Sequence, residues 1–160
     1  MGDLKQFRGS YTQKIDDRGR IKIPSRYLSI VESQFGNEVY LTSLNGDSVL
    51  FYPLRVWEKI ERIIGRIKVR NKTLEEYIRL TSFWGNETEI DQRGRILIQP
   101  ELRETSQLKD SVLILGQIDH MVIWNRELFT SKYMPTTFTE EKLDEVSRLI
   151  NEYSDLSDGE

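Results

Sequence analysis

Two arginine pairs recur in this chain beside the same partners. Arg18 and Arg20 flank Gly19 just after Asp16, and Arg93 and Arg95 flank Gly94 just after Asp91. A guanidinium is a planar, permanently charged fork that pairs bidentately with phosphate oxygens, or with guanine edges in a DNA major groove. Tight turns explain the other four residues. Gly19 and Gly94 supply positive φ, and Asp16 and Asp91 can accept backbone N–H bonds, so all four read as turn-structural. No turn rule asks for the arginines, and their return at equivalent places favours a ligand over a merely solubilising role. Lys22, Arg26 and Arg103, where strand leads into helix, would reinforce the same cationic surface. The chemistry implied is recognition of a polyanion.

The pattern does not fit catalysis as well. The single histidine, His120, falls in an expected turn, where an ordinary surface residue is the simpler reading. There is no P-loop, no G-x-G-x-x-G, no G-x-S-x-G and no metal-spaced His/Asp/Glu cluster. No cofactor is expected. Asp16 and Asp17 lie beside arginines, which lower carboxylate pKa values and make poor general acids. An enzyme clamping a phosphorylated ligand therefore stands as the weaker alternative. RNA binding usually stacks bases on exposed aromatics. Tyr52, Trp57, Phe83, Trp84, Trp124 and Phe129 instead fall at strand ends or on helix stripes, where core positions are expected.

The arginines belong to a longer internal repeat. Ile15-Asp16-Asp17-Arg18-Gly19-Arg20-Ile21-Lys22-Ile23 returns as Ile90-Asp91-Gln92-Arg93-Gly94-Arg95-Ile96-Leu97-Ile98, 75 positions later (16 to 91, 20 to 95). A copy at constant offset implies two homologous structural units. Phe7-Arg8-Gly9 answers to Phe83-Trp84-Gly85, and Thr12 to Thr88. Val39-Tyr40-Leu41 answers to Val112-Leu113-Ile114, and Val49-Leu50-Phe51-Tyr52 to Val122-Ile123-Trp124-Asn125. Each half then reads strand, turn, strand, short helix, strand, turn, strand, helix. Each motif reads as a β-hairpin tipped by its arginines. If the halves pack about a pseudo-two-fold axis, both tips can share one face, and a two-stranded β-ribbon is thin enough for a major groove.

Local signals supply the remaining elements. Asn45-Gly46 suggests a two-residue hairpin, in which both central residues need positive φ. Leu54, Trp57, Ile60, Ile63, Ile64 and Ile67 recur at helical spacing, and core is the simplest use for such a stripe. Thr73-x-x-Glu76 resembles a capping box opening the next helix. Thr139 can cap a last helix that begins with Glu140 and Glu141 and carries Leu143, Val146, Ile150 and Tyr153 as a stripe. The stretch from Ser154 to Glu160 has no periodicity and is expected to lack order.

Charge is distributed unevenly. The chain has 23 basic and 26 acidic residues, a net −3, but residues 139–160 hold eight of the acids and two of the bases. The preceding body keeps 21 bases against 18 acids, a mildly positive balance beside an acidic tail. Local field decides whether a polyanion is attracted. With 160 residues, 38% hydrophobic, the chain can bury a core as one domain or as two small units sharing one. No apolar run approaches a membrane span, and the first six residues carry no signal-peptide core. Zero cysteines exclude disulfides and thiolate metal sites and fit a reducing compartment. A cytoplasmic protein associated with the nucleoid is expected.

Phe7-Arg8-Gly9, the two D-x-x-G-R turns, Tyr52-Pro53 followed by Trp57, Gly94-Arg95-Ile96-Leu97-Ile98, and Leu115-Gly116-Gln117 before Trp124 together resemble the MraZ family of bacterial transcriptional regulators. The likeness spans roughly residues 7 to 133. It implies an α+β fold of tandem AbrB-like (SpoVT-AbrB type) swapped-hairpin β-barrel units related by pseudo-two-fold symmetry, with short helices after each unit. The expected boundaries are residues 7–53 for unit 1, 54–82 for a helical linker, 83–126 for unit 2, and 127–160 for a C-terminal helix and acidic tail. The resemblance further implies a ring-shaped homo-oligomer that binds short direct repeats in double-stranded DNA upstream of the division and cell-wall gene cluster. Its D-x-x-x-R motif falls on Asp16 with Arg20 and on Asp91 with Arg95. The expected DNA-binding set is Arg18, Arg20, Lys22, Arg26, Arg93, Arg95 and Arg103. A partner-dependent interaction module of the same fold, such as an antitoxin, remains the alternative. The complete second copy and short tail favour the self-sufficient regulator.

Overall fold

Alternating isoleucines flank each polar turn, so each motif places one side of its backbone inside and the other out. A computed structural model describes residues 5–69 and 71–154. In it Ile15, Ile21, Ile23, Ile90, Ile96 and Ile98 all enter one hydrophobic core. The first half runs β1 (Ser10–Lys14), β2 (Arg20–Lys22), α1 (Ser25–Gln34), β3 (Glu38–Thr42), β4 (Val49–Pro53) and α2 (Leu54–Arg66). Helix α3 (Lys72–Phe83) leads to β5 (Asn86–Glu89), β6 (Arg95–Leu97), α4 (Pro100–Thr105), β7 (Ser111–Gly116), β8 (Met121–Asn125) and α5 (Arg126–Tyr133). The result is an α+β fold with an antiparallel sheet.

The halves exchange strands, so the expected hairpin around the first arginine turn is reduced to the single bridge Ile15↔Ile21, while β1 pairs with β7 and β2 with β6. Six strands form one sheet in the order β1-β7-β8-β4-β3-β5, and β2 pairs with β6 in a separate ribbon. The order reads the same backwards when each strand is replaced by its counterpart in the other half. Among the described residues the strand pairs β3·β4 and β7·β8 are made within a half, and β1·β7, β3·β5, β4·β8 and β2·β6 all cross. At the centre of the ribbon Ile21 faces Ile96, its own repeat counterpart, so a local two-fold axis passes between them. The axis passes through the sheet as well, where Val49 faces Ile123 and Leu50 faces Val122. Strand register also fixes the repeat alignment. Tyr11↔Ile114 corresponds to Asn86↔Leu41, which sets Glu87, not Thr88, in the place of Thr12.

Sheet, ribbon, α1 and α4 share a single core. Tyr27 and Leu102, repeat counterparts from the two helices, are fully buried with Val39, Leu41, Phe51, Ile114 and Ile123. Burying an aliphatic side chain of this size contributes about 1.5–3 kcal/mol, and the six motif isoleucines alone tie both turns to the core. Tyr27 also packs edge-on against Phe7 and Tyr11, and its hydroxyl donates to the Arg8 and Gly9 carbonyls (2.8 and 2.7 Å).

Several local expectations are corrected. Asn45-Gly46 does not make a two-residue hairpin, because β3 and β4 part at Thr42↔Leu50 and leave the loop 43–48. Of the two residues only Gly46 has positive φ (74°), and Ser43 Oγ accepts its N–H at 3.0 Å, a local bond that competes with the tight turn. Helix α3 is capped by Asn71, not Thr73: Asn71 Oδ1 accepts the N–H groups of Thr73 and Leu74 (2.8 and 3.1 Å). The α2 stripe is core only at Trp57, which stacks on Tyr40 at 4.8 Å; Ile63 and Ile67 stay 49% exposed. Phe83, expected inside, is exposed at the end of α3, resting edge-on against Trp84.

The chain divides into two compact units, Met1–Phe129 and Thr130–Glu160. In the second, α6 (Glu140–Ser154) is capped by Thr139, whose Oγ1 accepts the Lys142 N–H at 3.3 Å. Its Leu143, Val146, Ile150 and Tyr153 are exposed. The expectation of disorder from Ser154 fails at Ser154, which is helical, and beyond it lies outside the described residues. Among the described residues no helix is long and apolar enough to cross a membrane.

Candidate nucleic-acid interface

Each arginine turn is built by its aspartate. Asp16 Oδ1 accepts the N–H groups of Arg18 and Arg20 (3.0 and 2.8 Å), and Oδ2 accepts the Arg20 Nε–H at 2.7 Å. The second turn repeats this bond for bond. Asp91 Oδ1 takes the N–H groups of Arg93 and Arg95 (2.8 and 2.9 Å), and Oδ2 takes Arg95 Nε–H at 2.9 Å. Backbone bonds close both loops, with Gly19 N–H on Asp16 C=O and Gly94 N–H on Asp91 C=O, both 3.0 Å. Gly19 and Gly94 have φ of 88° and 75°, the region in which a side chain is strained. The Arg20 N–H foremost, helped by its guanidinium and the Arg18 N–H, holds the Asp16 carboxyl below its ordinary value; loss of solvent, second in size, opposes them. Arg95 and Arg93 do the same to Asp91. Both carboxylates are thus fixed as anions, and each orients one guanidinium through Nε. The other four N–H donors of that fork have no hydrogen-bond partner among the described residues.

The ribbon joins the two turns. Directly opposed residues share a face, so Arg20 with Leu97 and Lys22 with Arg95 point away from the core that Ile21 and Ile96 enter. Ile98 N–H donates to Gly19 C=O and Ile23 N–H to Gly94 C=O, both 2.9 Å, so one turn sits at each end. Four residues separate these levels, about 13 Å of strand, close to the width of a major groove. Arg18 and Arg93, at the turn tips, are exposed. Five cations therefore stand on one short ribbon and its ends.

The remaining candidates lie apart from it. Arg26 is exposed in the first turn of α1, lining an open cleft with Lys5 and Arg8. Arg103 is half-buried behind the first turn: a Cβ on Gly19 would fall 1.6 Å from its Nη1, and that nitrogen is buried with no hydrogen-bond partner among the described residues. At the second turn the equivalent neighbour of Gly94 is Leu28. His120 stacks on Tyr52 at 4.4 Å with Nδ1 2.8 Å from Asp119, away from the arginine turns in sequence. One ribbon residue, Leu97, escaped the sequence reading. It sits between two core isoleucines, and only the period-2 alternation marks it as outward.

A two-fold-related pair of aspartate-braced arginine turns on a strand-exchanged α+β core defines a structural class. Comparison with known proteins narrows it. A family model for the MraZ protein, with the qualifier antitoxin-like, matches residues 85–150. A protein of Koribacter versatilis named Transcriptional regulator MraZ is 32% identical over 136 residues, covering 84% of this chain and 92% of that protein. Proteins of the same name from Acidobacterium capsulatum (30% identical; 77% and 84% covered) and Histophilus somni (34%; 74% and 79%) are also similar. The chain belongs to the MraZ family.

Proposed function

We propose that this chain is a sequence-specific, DNA-binding transcriptional regulator that acts as a homo-oligomer. The observation that carries the reading is the ribbon: Arg20, Lys22 and Arg95 on its outer face, Arg18 and Arg93 at its ends, and two carboxylates orienting the guanidiniums. The names of its relatives support regulation of transcription. In this reading the ribbon enters a major groove. Backbone phosphates set its register, and a subset of the arginines reads guanine edges. Arg26 adds a flanking phosphate contact, and Arg103 braces the first turn from behind.

The strand exchange supports treating residues 7–53 and 83–126 as two swapped AbrB-like units joined by the helices of 54–82. About five phosphate contacts give weak binding at physiological salt, so affinity would come from several subunits engaging short direct repeats at once. The open apolar face of α2 and α3, with Ile63 and Ile78 exposed and Ile67 exposed just past the end of α2, supports assembly into a ring. The family resemblance points to repeats upstream of the division and cell-wall genes, and to a place in the cytoplasm on the nucleoid.

A mobility-shift titration against the chain's own upstream DNA and a scrambled fragment tests the reading. A clear preference for the upstream fragment is expected, lost in the Arg20→Ala/Arg95→Ala double variant with its melting temperature retained. Exposed ion pairs contribute little to stability, so a double variant that binds normally but melts early would overturn the assignment.

A further inference from the structure

The outer face of the ribbon has one residue that does not fit a purely electrostatic surface. Leu97 is 49% exposed and lies directly opposite Arg20, on a face otherwise made of Arg20, Lys22 and Arg95. The fold does not demand an apolar side chain there. The two-fold-related position carries Lys22, exposed in the same register, and the ribbon's inner face is already filled by Ile21 and Ile96. Leu97 is also absent from the hydrophobic core and from the partly buried residues packed on it. A leucine among cations on a two-stranded ribbon weakens phosphate binding relative to lysine, so its use must lie in another contact.

We infer that Leu97 reads the C5-methyl group of a thymine in the major groove, beside the base edge or phosphate held by Arg20. The major groove offers one apolar group, the thymine methyl, and apolar side chains are what contact it. Position and chemistry agree: Arg20 and Leu97 form one cross-strand pair, so a guanidinium and an isobutyl group reach the groove at the same level. Lys22 and Arg95 form the two-fold-related pair, with ammonium in place of isobutyl. The two ends of the ribbon thus read different chemistry. One pairs charge with charge, and the other pairs charge with a methyl. A directional, non-palindromic site follows from this asymmetry. This inference rests on the DNA-binding reading of the ribbon.

Uracil substitution isolates the methyl. The full chain is titrated by fluorescence anisotropy against its upstream fragment and against the same fragment with every thymine replaced by uracil, then with single replacements. The wild type should lose about fourfold in affinity for each methyl it buries, at one position of each repeat. Leu97→Ala should bind both fragments alike, and Leu97→Met should keep the discrimination. Equal binding of both fragments by the wild type, or undiminished discrimination by Leu97→Ala, overturns the inference while leaving the DNA-binding reading intact. Failure to bind any fragment overturns the reading itself, and this inference with it.

Discussion

Asp16 and Asp91 each satisfy two backbone N–H groups and one guanidinium. Their carboxyls are held below the ordinary value of 3.8, chiefly by the Arg20 and Arg95 N–H groups. A carboxyl whose pKa is depressed on folding contributes stability that is present above its ordinary value and lost as pH falls through the depressed one. Melting temperature measured from about pH 5 down to pH 2 should therefore fall less steeply in Asp16→Asn/Asp91→Asn than in the wild type. Identical slopes would mean that the turns do not depend on the charge. The turn chemistry of Asp and Gly was legible from residue type, since it follows from local backbone rules; that each aspartate also orients an arginine through Nε was not. Arg103 was not legible in the same way. Its position behind Gly19 comes from the other half of the chain, and only the folded molecule brings the two together.

At the level of elements, the motif isoleucines and turn glycines were readable because period-2 alternation and positive φ are local properties. Strand partners were not readable in that way. A three-residue strand such as β2 contains nothing that selects β6 over β1, and the choice is made by the shared core and the two-fold repeat. The same limit explains Asn45-Gly46, where Ser43 offers a competing hydrogen bond, and α2, whose periodic stripe extends past the point where the core ends at Trp57. The ribbon's inner pair tests the exchange. Ile21→Ala and Ile96→Ala should each destabilise by about 2–5 kcal/mol. Because they face each other, the double variant should depart from the sum by about 0.5–3 kcal/mol. Strict additivity in chemical denaturation would argue that the two strands do not pack together.

For the whole molecule, an acidic tail and a mildly basic body make net charge a poor guide, and in the proposed reading the cations on the ribbon decide what is attracted. The exposed α2 face makes a claim of its own at this scale. Ile63→Asp/Ile67→Asp should reduce assembly to smaller species in sedimentation velocity without lowering the melting temperature; unchanged sedimentation would remove α2 as the assembly surface. The central claim, that both turns hold DNA, is tested most directly by the salt dependence of binding. Affinity for the upstream DNA is measured across a series of salt concentrations for the wild type, Arg18→Ala and Arg93→Ala. Each lost phosphate contact lowers the slope of log K against log salt by about 0.9, so both variants should lose the same increment for every subunit engaged. Slopes unchanged in both, or changed in only one, would contradict a two-fold-related pair of DNA-binding turns.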